Sequence, residues 1–404
     1  MDPRAAWPDF SQFGPHPAAP VLRAWLTDAR ARTRAWLGDL DADARVGPQA
    51  ALLNPPLWEV GHLAWFWEKW LLREGDTTRL PSGLVARTDR LYDSAAVAHD
   101  TRWRLPLLSW DATWRYLDEV LARVDARLAH ATLGDELAYF TQLCIFHHDM
   151  HNEAFAIRRQ ALGDLPLAAG GAALPGAVSL SPATAKRTDI EIPAGMVRQG
   201  ARAGGGFVFD NEKWAHEVTH DAFAIASHPV TQGEFRAFVE AGGYARRAWW
   251  SEDGWRWRES AGATHPACWR QAGGQWQARR FDAWQPCQAD VPVVHVNAHE
   301  AEAWCRWAER RLPSETEWER AHDALQERGQ GWEWTATSFA PYPGFSADPY
   351  AEYSMPWFDG RFRVLRGGSV ATAPRCIWRT WRNFYTPERS DMFCGFRTCR
   401  LAAD

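Results

Sequence analysis

Three features that the sequence lacks exclude broad classes of protein. It has no run of about 18 apolar residues, so we expect no transmembrane helix. The segment Met1–Phe10 contains Pro3, Arg4 and Pro8 and lacks the apolar core of a signal peptide. The seven cysteines are odd in number and include no Cys-x-x-Cys pair, a pattern typical of reduced thiols. We therefore expect a cytoplasmic protein.

The sequence also has little excess charge of either sign. Its 45 Lys and Arg residues and 50 Asp and Glu residues give a formal charge of −5. This balance argues against a nucleic-acid or membrane partner. A chain of 404 residues has room for two or three domains. Tryptophan is unusually abundant, with 26 copies, and core packing is the ordinary explanation for each of them.

Residues 1–165 are predicted to form a helical domain. Apolar residues recur there at helical spacing, as in Trp114, Leu117 and Leu121. Asn54, which precedes two prolines, is expected to cap the second helix. Four amphipathic helices of this kind predict a four-helix bundle. The predicted helices are Pro20–Leu37, a second from Asn54 through Trp70, Asp111–Ala129, and a fourth between Gly134 and Gly163.

The composition changes after the fourth helix. Residues 166–187 are rich in Ala, Gly, Pro and Ser and are predicted to be a linker. Residues 188–404 mix short β-like runs with short helices and many turn residues, which predicts an α+β domain. The expected strands and helices are Ile190–Ile192, Phe207–Phe209 and Ala222–Ala226, and Thr231–Glu240, Ala298–Glu309 and Glu315–His322.

One group of histidines points to chemistry. His147 and His151 are four residues apart on the fourth helix and therefore share a face. Phe140 and Phe155 lie on the same face, so it should point into the bundle. Two imidazoles one turn apart can bind one metal ion. Glu153 lies about 200° from His151 around the helix and is expected to support a ligand rather than bind metal.

His62 is the candidate third ligand, because it lies mid-helix among Trp58, Trp65 and Phe66. A single buried histidine is equally well explained as a hydrogen-bonded core residue. Three neutral imidazoles together suit zinc, iron, copper or nickel and leave positions open for substrate or oxygen. The residues alone do not choose among these metals.

The stretch from Trp58 to Glu68, the pattern His147-x3-His151-x-Glu153 and several segments of the second half together resemble the ergothioneine-biosynthesis sulfoxide synthases, which are hercynine oxygenases, and their close relatives the selenoneine synthases. In the first half, the stretch from Trp58 to Glu68 and the His147-x3-His151-x-Glu153 pattern are similar to the DinB-type helical domain of that family. The second half is similar to its formylglycine-generating-enzyme-type domain, a C-type-lectin-like fold. The matching segments include Gly206–Trp214, Arg311–Glu319, Trp332–Thr335, Val364–Ser369, Arg382–Tyr385 and Gly395–Arg397.

The resemblance implies an Fe(II)- and O2-dependent enzyme that forms a carbon–sulfur or carbon–selenium bond at C2 of the imidazole of hercynine. His62, His147 and His151 fall on the iron positions of the family. Asn383 falls on a position that helps to hold hercynine, with Phe384 beside it in place of a Trp. The trimethylammonium group of hercynine is suited to aromatic faces.

Three departures from the family pattern concern the chalcogen donor. Met150 stands where a Gln often bonds hercynine, and Tyr385 stands where one type of enzyme has an Asp for the donor amine. The stretch Leu91–Ala96 ends in Ala95-Ala96 where another type has a Tyr-Tyr pair. A site without these polar partners should bind a thiol amino acid poorly. The leading expectation is therefore a selenosugar donor, with cysteine or γ-glutamylcysteine as the alternative.

Two further assignments come from the resemblance. Tyr353 or Tyr350 is the candidate for a catalytic hydroxyl, since both precede Val364 on one loop. Arg102 lies where the family often has a donor-binding Arg, although a surface role explains it equally well. The expected partners are therefore small molecules: hercynine, a selenosugar or thiol, and O2.

Three rival functions remain at this point. The second half could be a true formylglycine-generating oxidase, but the partner expected five residues after Cys376 is Trp381. A DinB-like zinc thiol transferase would not need the second domain. A binding protein without catalysis would use the histidines only for structure.

Overall fold

The structure is a computed structural model that describes residues 7–73, 88–164, 180–183 and 187–402. The chain divides into two compact units, and the division falls between residues 158 and 159. Residues 203–207 belong to the first unit, and the described chain from 208 onward belongs to the second. Most of the predicted linker, 166–187, lies outside the described residues.

The first unit is built from helices. Helix α2 continues into a π-helical turn, Glu68–Leu72, and α5 runs through without interruption. The helices are α1 (Ala19–Leu37), α2 (Pro56–Trp67), α3 (Thr88–Tyr92), α4 (Trp110–His130) and α5 (Asp135–Leu162). The four predicted helices correspond to α1, α2, α4 and α5. Asn54 does not cap α2, because its side-chain oxygen accepts a hydrogen bond from Arg102 Nη1 at 2.8 Å.

Buried polar contacts fix the packing of these helices. On α1, Thr33 Oγ1 lies 2.7 Å from His148 Nε2 and donates to Asn152 Oδ1 at 2.7 Å, both on α5. Trp67 of α2 donates from Nε1 to His148 Nδ1 at 3.1 Å. Because an indole N–H only donates, Nδ1 accepts and the His148 proton lies on Nε2. The rotation of α5 about its axis is thereby set from two neighbouring helices.

The part of the second unit that the structure describes contains four small sheets and four helices. Its sheets have strand orders β1-β4-β13-β8, β11-β10-β9-β12, β2-β3 and β5-β6-β7. All described pairings are antiparallel except β9 with β12. The strands are β1 (Asp189–Ile192), β2 (Gly195–Gln199), β3 (His216–His220), β4 (Phe223–Ala226), β5 (Trp269–Ala272), β6 (Gln275–Arg280), β7 (Ala283–Pro286), β8 (Arg310–Arg311), β9 (Trp332–Ser338), β10 (Arg363–Arg366), β11 (Asn383–Tyr385), β12 (Cys394–Gly395) and β13 (Cys399–Arg400). The helices are α6 (Gln232–Glu240), α7 (Glu252–Ala261), α8 (Ala298–Trp307) and α9 (Glu315–Ala321).

Short capped helices are possible here because their ends are satisfied by side chains. Thr231, Asn297 and Ser314 each cap a helix with the side chain, and the backbone N–H of each donates to the carboxylate of a Glu three residues later. Helix α9 packs Trp318 against Ile192 and Phe223 in one core cluster. The sequence predicted α6, α8 and α9 but missed α7.

One strand prediction is wrong. Phe207–Phe209 is not a strand, because Phe209 is the N-cap of a 3-10 turn over Asp210–Glu212. The backbone N–H of Phe209 donates to Glu212 Oε1 at 3.0 Å instead of to a neighbouring strand. Its aromatic ring stacks on Tyr353, with centroids 4.2 Å apart.

All seven cysteines lie within the described residues and are free thiols. None of the helices in the part of the chain that the structure describes combines the length and apolar character needed to cross a bilayer.

Candidate metal centre

The three histidines singled out in the sequence come together in the helical unit. One nitrogen from each of His62, His147 and His151 lies within 4.8 Å of the others. The Nε2 atoms of His62 and His147 are 3.3 Å apart. Helix α2 supplies His62, and two successive turns of α5 supply the other two. Among the described residues, this is the one group of three or more His, Cys, Asp or Glu side chains with such a geometry.

A backbone carbonyl fixes the orientation of His62. Its Nδ1 lies 2.7 Å from the carbonyl oxygen of Tyr92, which ends α3. A carbonyl only accepts, so Nδ1 carries the proton and a neutral ring keeps its lone pair on Nε2. The ring is stacked between Trp58, at 4.9 Å between centroids, and Trp65, at 5.5 Å. Trp58 in turn donates to the carbonyl of Leu91 at 2.7 Å.

A carboxylate holds His151 in the same way. Nδ1 of His151 lies 2.6 Å from Oε1 of Glu59, a buried residue one turn before His62 on α2. The carboxylate accepts a hydrogen bond from Nδ1, so the lone pair of Nε2 stays available for a metal. The third ring, His147, stacks on Phe66 with centroids 3.6 Å apart and planes 6° apart.

The electrostatics favour neutral rings for His62 and His147. Burial lowers the pKa of His62 well below its ordinary value, and the nearby His151, Arg102 and Lys69 add to this effect. Burial also lowers the pKa of His147, with His151 and His62 acting in the same direction. Neutral imidazole is the form that binds a metal.

These residues fit a metal ion. Two nitrogens bound at about 2.1 Å to one ion lie roughly 3.0–3.4 Å apart at angles of 90–109°, and the His62–His147 separation of 3.3 Å falls in this range. The lone pair of His62 Nε2 faces Nε2 of His147 across this distance. The donor set of three imidazoles suits iron, zinc, copper or nickel.

The other predicted residues of the helical unit lie around this group. Met150 is half-buried on α5 next to His151, and Glu153 is buried two residues further on. Arg102 is buried rather than solvated, since its guanidinium stacks on Trp58 at 3.9 Å. It donates to the Asn54 side chain and to two loop carbonyls. Whether Met150, Glu153 and Arg102 act in binding stays a prediction.

Tyr353 and Tyr350 belong to the second unit, where their ring centroids are 6.0 Å apart. The hydroxyl of Tyr353 accepts a hydrogen bond from Trp381 Nε1 at 3.4 Å. Burial raises the pKa of Tyr353 well above its ordinary value, and the carboxylates of Glu212 and Asp210 act in the same direction. The phenol therefore keeps its proton at neutral pH.

Asn383, Phe384 and Tyr385 form β11, which pairs with β10. The ring of Phe384 stacks on Phe339 with centroids 4.0 Å apart and lies 6.0 Å from the ring of Tyr353. The Asn383 side-chain oxygen accepts from the backbone N–H of Phe384 at 2.9 Å. Aromatic faces and an amide are therefore adjacent, but their role in binding stays a prediction.

Two residues that orient the histidines were missed from the sequence. Tyr92 acts through its backbone carbonyl, which no residue pattern reveals. Glu59 could have been found from the sequence, because it lies three residues before His62 and so shares its helical face.

Comparison with known proteins identifies the family. A model of the sulfatase-modifying factor enzyme 1-like domain matches residues 176–330 and 321–402. A hercynine oxygenase of Mycobacterium tuberculosis is 34% identical over 423 residues, covering 93% of this chain and 97% of that protein. One from Mycolicibacterium thermoresistibile is also 34% identical, over 95% of each chain.

The chain belongs to the hercynine oxygenase family.

Membership makes the protein an oxidoreductase. The predicted formylglycine-generating-enzyme-like fold of the second half is confirmed by the domain match. A further relative, ergothioneine biosynthesis protein 1 of Schizosaccharomyces pombe, is 25% identical over 47% of this chain and 27% of that protein. The likeness of the first half to DinB-type bundles stays a prediction.

Proposed function

We propose that the protein is an Fe(II)-dependent hercynine oxygenase that joins a thiol to C2 of the imidazole of hercynine and yields a sulfoxide. One observation carries this proposal: three imidazoles converge in a chain that is 34% identical to a hercynine oxygenase over nearly its full length. In the balanced reaction, the C2–H and S–H bonds break, the C–S bond forms, one oxygen atom of O2 goes to sulfur and the other leaves in water.

The sulfur reaction is better supported than the selenosugar reaction that the sequence departures favoured. The relatives with high coverage are named for hercynine and oxygen, and the more distant one is named for ergothioneine. Two departures from the family pattern remain: Met150 stands where a Gln often bonds hercynine, and Tyr385 stands where one type of enzyme has an Asp for the donor amine. The proposed donor is cysteine or γ-glutamylcysteine.

In this proposal each of the candidate site residues has a defined role. His62, His147 and His151 hold the iron, which supplies oxygen activation when bound. Asn383 and Phe384 bind hercynine, with the aromatic face toward the trimethylammonium group. Tyr353 keeps a proton on its phenol oxygen and donates it during turnover.

The test is anaerobic reconstitution with Fe(II) and hercynine, followed by O2 and a panel of donors. Mass spectrometry should show a hercynine sulfoxide with γ-glutamylcysteine or cysteine, and oxygen-18 from labelled O2 in the product. His147→Ala should abolish turnover, while His130→Ala, at the exposed end of α4, should leave it unchanged. If product forms only with a selenosugar, the donor is that sugar and not a thiol. If the His147→Ala variant still turns over, the proposed iron site is wrong.

A further inference from the structure

One of the three histidines is bonded to a buried carboxylate. Glu59 is 3% exposed, and its Oε1 lies 2.6 Å from Nδ1 of His151. The bond joins α2 to α5, so it ties the helix of His62 to the helix of the other two rings. An ionised carboxylate has no proton to donate, so the shared proton belongs to the imidazole.

The contact of the buried Glu59 carboxylate is with the ring of His151. Arg102 senses the charge of Glu59, but its guanidinium is bound to Asn54 and to loop carbonyls and stacks on Trp58. Burial lowers the pKa of Arg102, and the negative charge of Glu59 acts in the opposite direction. A buried carboxylate that contacts a neutral ring rather than a guanidinium is costly unless the ring itself becomes cationic or binds a cation.

His62 is oriented differently from His151. Its Nδ1 donates to a carbonyl, which orients the ring without adding charge. A carboxylate bonded to the far side of a ligand raises the basicity of that ligand. Glu59 therefore makes His151 a different ligand from His62.

We propose that Glu59 is a positioning residue for the metal centre: it fixes His151 with its Nε2 lone pair toward the ion and supplies the negative charge that strengthens binding of a divalent cation. This inference rests on the proposed metal site. It concerns how tightly and in which oxidation state the ion is held, which the three histidines alone do not determine.

The test compares Glu59→Gln and Glu59→Leu with the unaltered protein. Gln keeps an oxygen that accepts the Nδ1 proton but removes the charge, whereas Leu removes both. Glu68→Gln is the matched control, since Glu68 is also buried on the same helical segment and bonds Tyr116 rather than a histidine. Apo-protein checked for folding by circular dichroism is titrated with Co(II), with a chelator as competitor, and the iron-loaded forms are titrated for reduction potential.

We expect Co(II) affinity to fall about 10-fold in Glu59→Gln and about 100-fold in Glu59→Leu, the range seen when such partners are removed. The potential of Glu59→Gln should become more positive, because the lost charge stabilised the ferric ion. Glu68→Gln should keep both properties even if it unfolds more readily.

The outcomes separate the two proposals. Glu59→Gln with the affinity and potential of the unaltered protein would overturn the role of Glu59 alone. Unaltered protein that binds Co(II) no better than His147→Ala would overturn the metal centre itself, and the role of Glu59 with it.

Discussion

Gly61 and Tyr92 are in contact where the α3 segment meets α2, immediately before His62 of the candidate metal centre. A Cβ atom on Gly61 would lie 2.2 Å from Cε1 of Tyr92, well inside van der Waals contact. The carbonyl of the same Tyr92 accepts the hydrogen bond from Nδ1 of His62. The absence of a side chain at Gly61 therefore allows the backbone of residue 92 to reach the ligand.

Gly61→Ala should disturb this contact and weaken metal binding. The added methyl group must displace the Tyr92 ring, which is fully buried, and overpacking of this kind costs about 1–3 kcal/mol of stability. Moving the ring also moves the carbonyl from His62. Urea unfolding and Co(II) titration should both show the loss.

Gly134→Ala is the control, because a Cβ there meets no atom within 4 Å. That variant should match the unaltered protein in both measurements. Equal Co(II) affinity in Gly61→Ala and Gly134→Ala would show that the carbonyl of Tyr92 does not orient His62.

Thr33→Val should destabilise the helical bundle. The substitution keeps the shape of the side chain but removes the hydroxyl that joins His148 and Asn152. Leaving these buried groups without that partner costs about 1–3 kcal/mol. Thr27→Val, at an exposed position on the same helix, should change the free energy of unfolding by less than about 0.5 kcal/mol. Similar losses in the two variants would mean that helix propensity, and not the buried network, is responsible.

Arg397→Met should strongly destabilise the second unit. Both residues of the Arg397–Glu333 pair are buried, and Arg397 Nη2 donates to Glu333 Oε1 at 2.8 Å. Removing one partner of such a pair leaves a buried charge and costs about 3–5 kcal/mol. Arg256→Met, which removes an exposed pair with Asp253, should leave the urea midpoint unchanged. A midpoint for Arg397→Met equal to that of Arg256→Met would contradict this expectation.

Glu300 should make stability depend on pH. Burial raises the pKa of Glu300 from 4.5 to about 7, although hydrogen bonds from Tyr244 and Asn297 lower it. The folded state therefore favours the protonated acid. Its contribution is complete below about pH 4.5 and is lost as pH rises through about 7, by up to about 3 kcal/mol.

The comparison with Glu300→Gln isolates this effect, since Gln does not titrate. The free energy of unfolding of the unaltered protein, minus that of the variant, should fall between pH 4.5 and 7 and then level off. A difference that stays constant or rises over this range would show that Glu300 is ionised in the folded protein throughout.

The sequence predicted the long helices well because their apolar residues repeat with helical spacing. It missed α7, where Gly254 and several charged residues interrupt that spacing, although Ser251 caps the helix through its hydroxyl. It wrongly predicted a strand at Phe207–Phe209, where apolar residues suggested one. There the carboxylate of Glu212, and not a neighbouring strand, accepts the hydrogen bond from the backbone N–H of Phe209.

The three histidines of the candidate centre were singled out from the sequence because His147 and His151 share a helical face and His62 lies on an apolar one. Their partners were not. The Tyr92 carbonyl and the Glu59 carboxylate reach the rings through tertiary packing, which a one-dimensional pattern does not encode. Arg102 was expected on the surface or at the donor, and its stacking on Trp58 depends in the same way on where the loop folds back.

The most direct test of the metal centre is a crystal structure grown anaerobically with Fe(II). Anomalous density measured at the iron edge should show one ion within about 2.2 Å of Nε2 of His62, His147 and His151. Glu59 should remain hydrogen-bonded to Nδ1 of His151 in that structure. Iron bound elsewhere, or three rings too far apart to share the ion, would contradict the proposed centre.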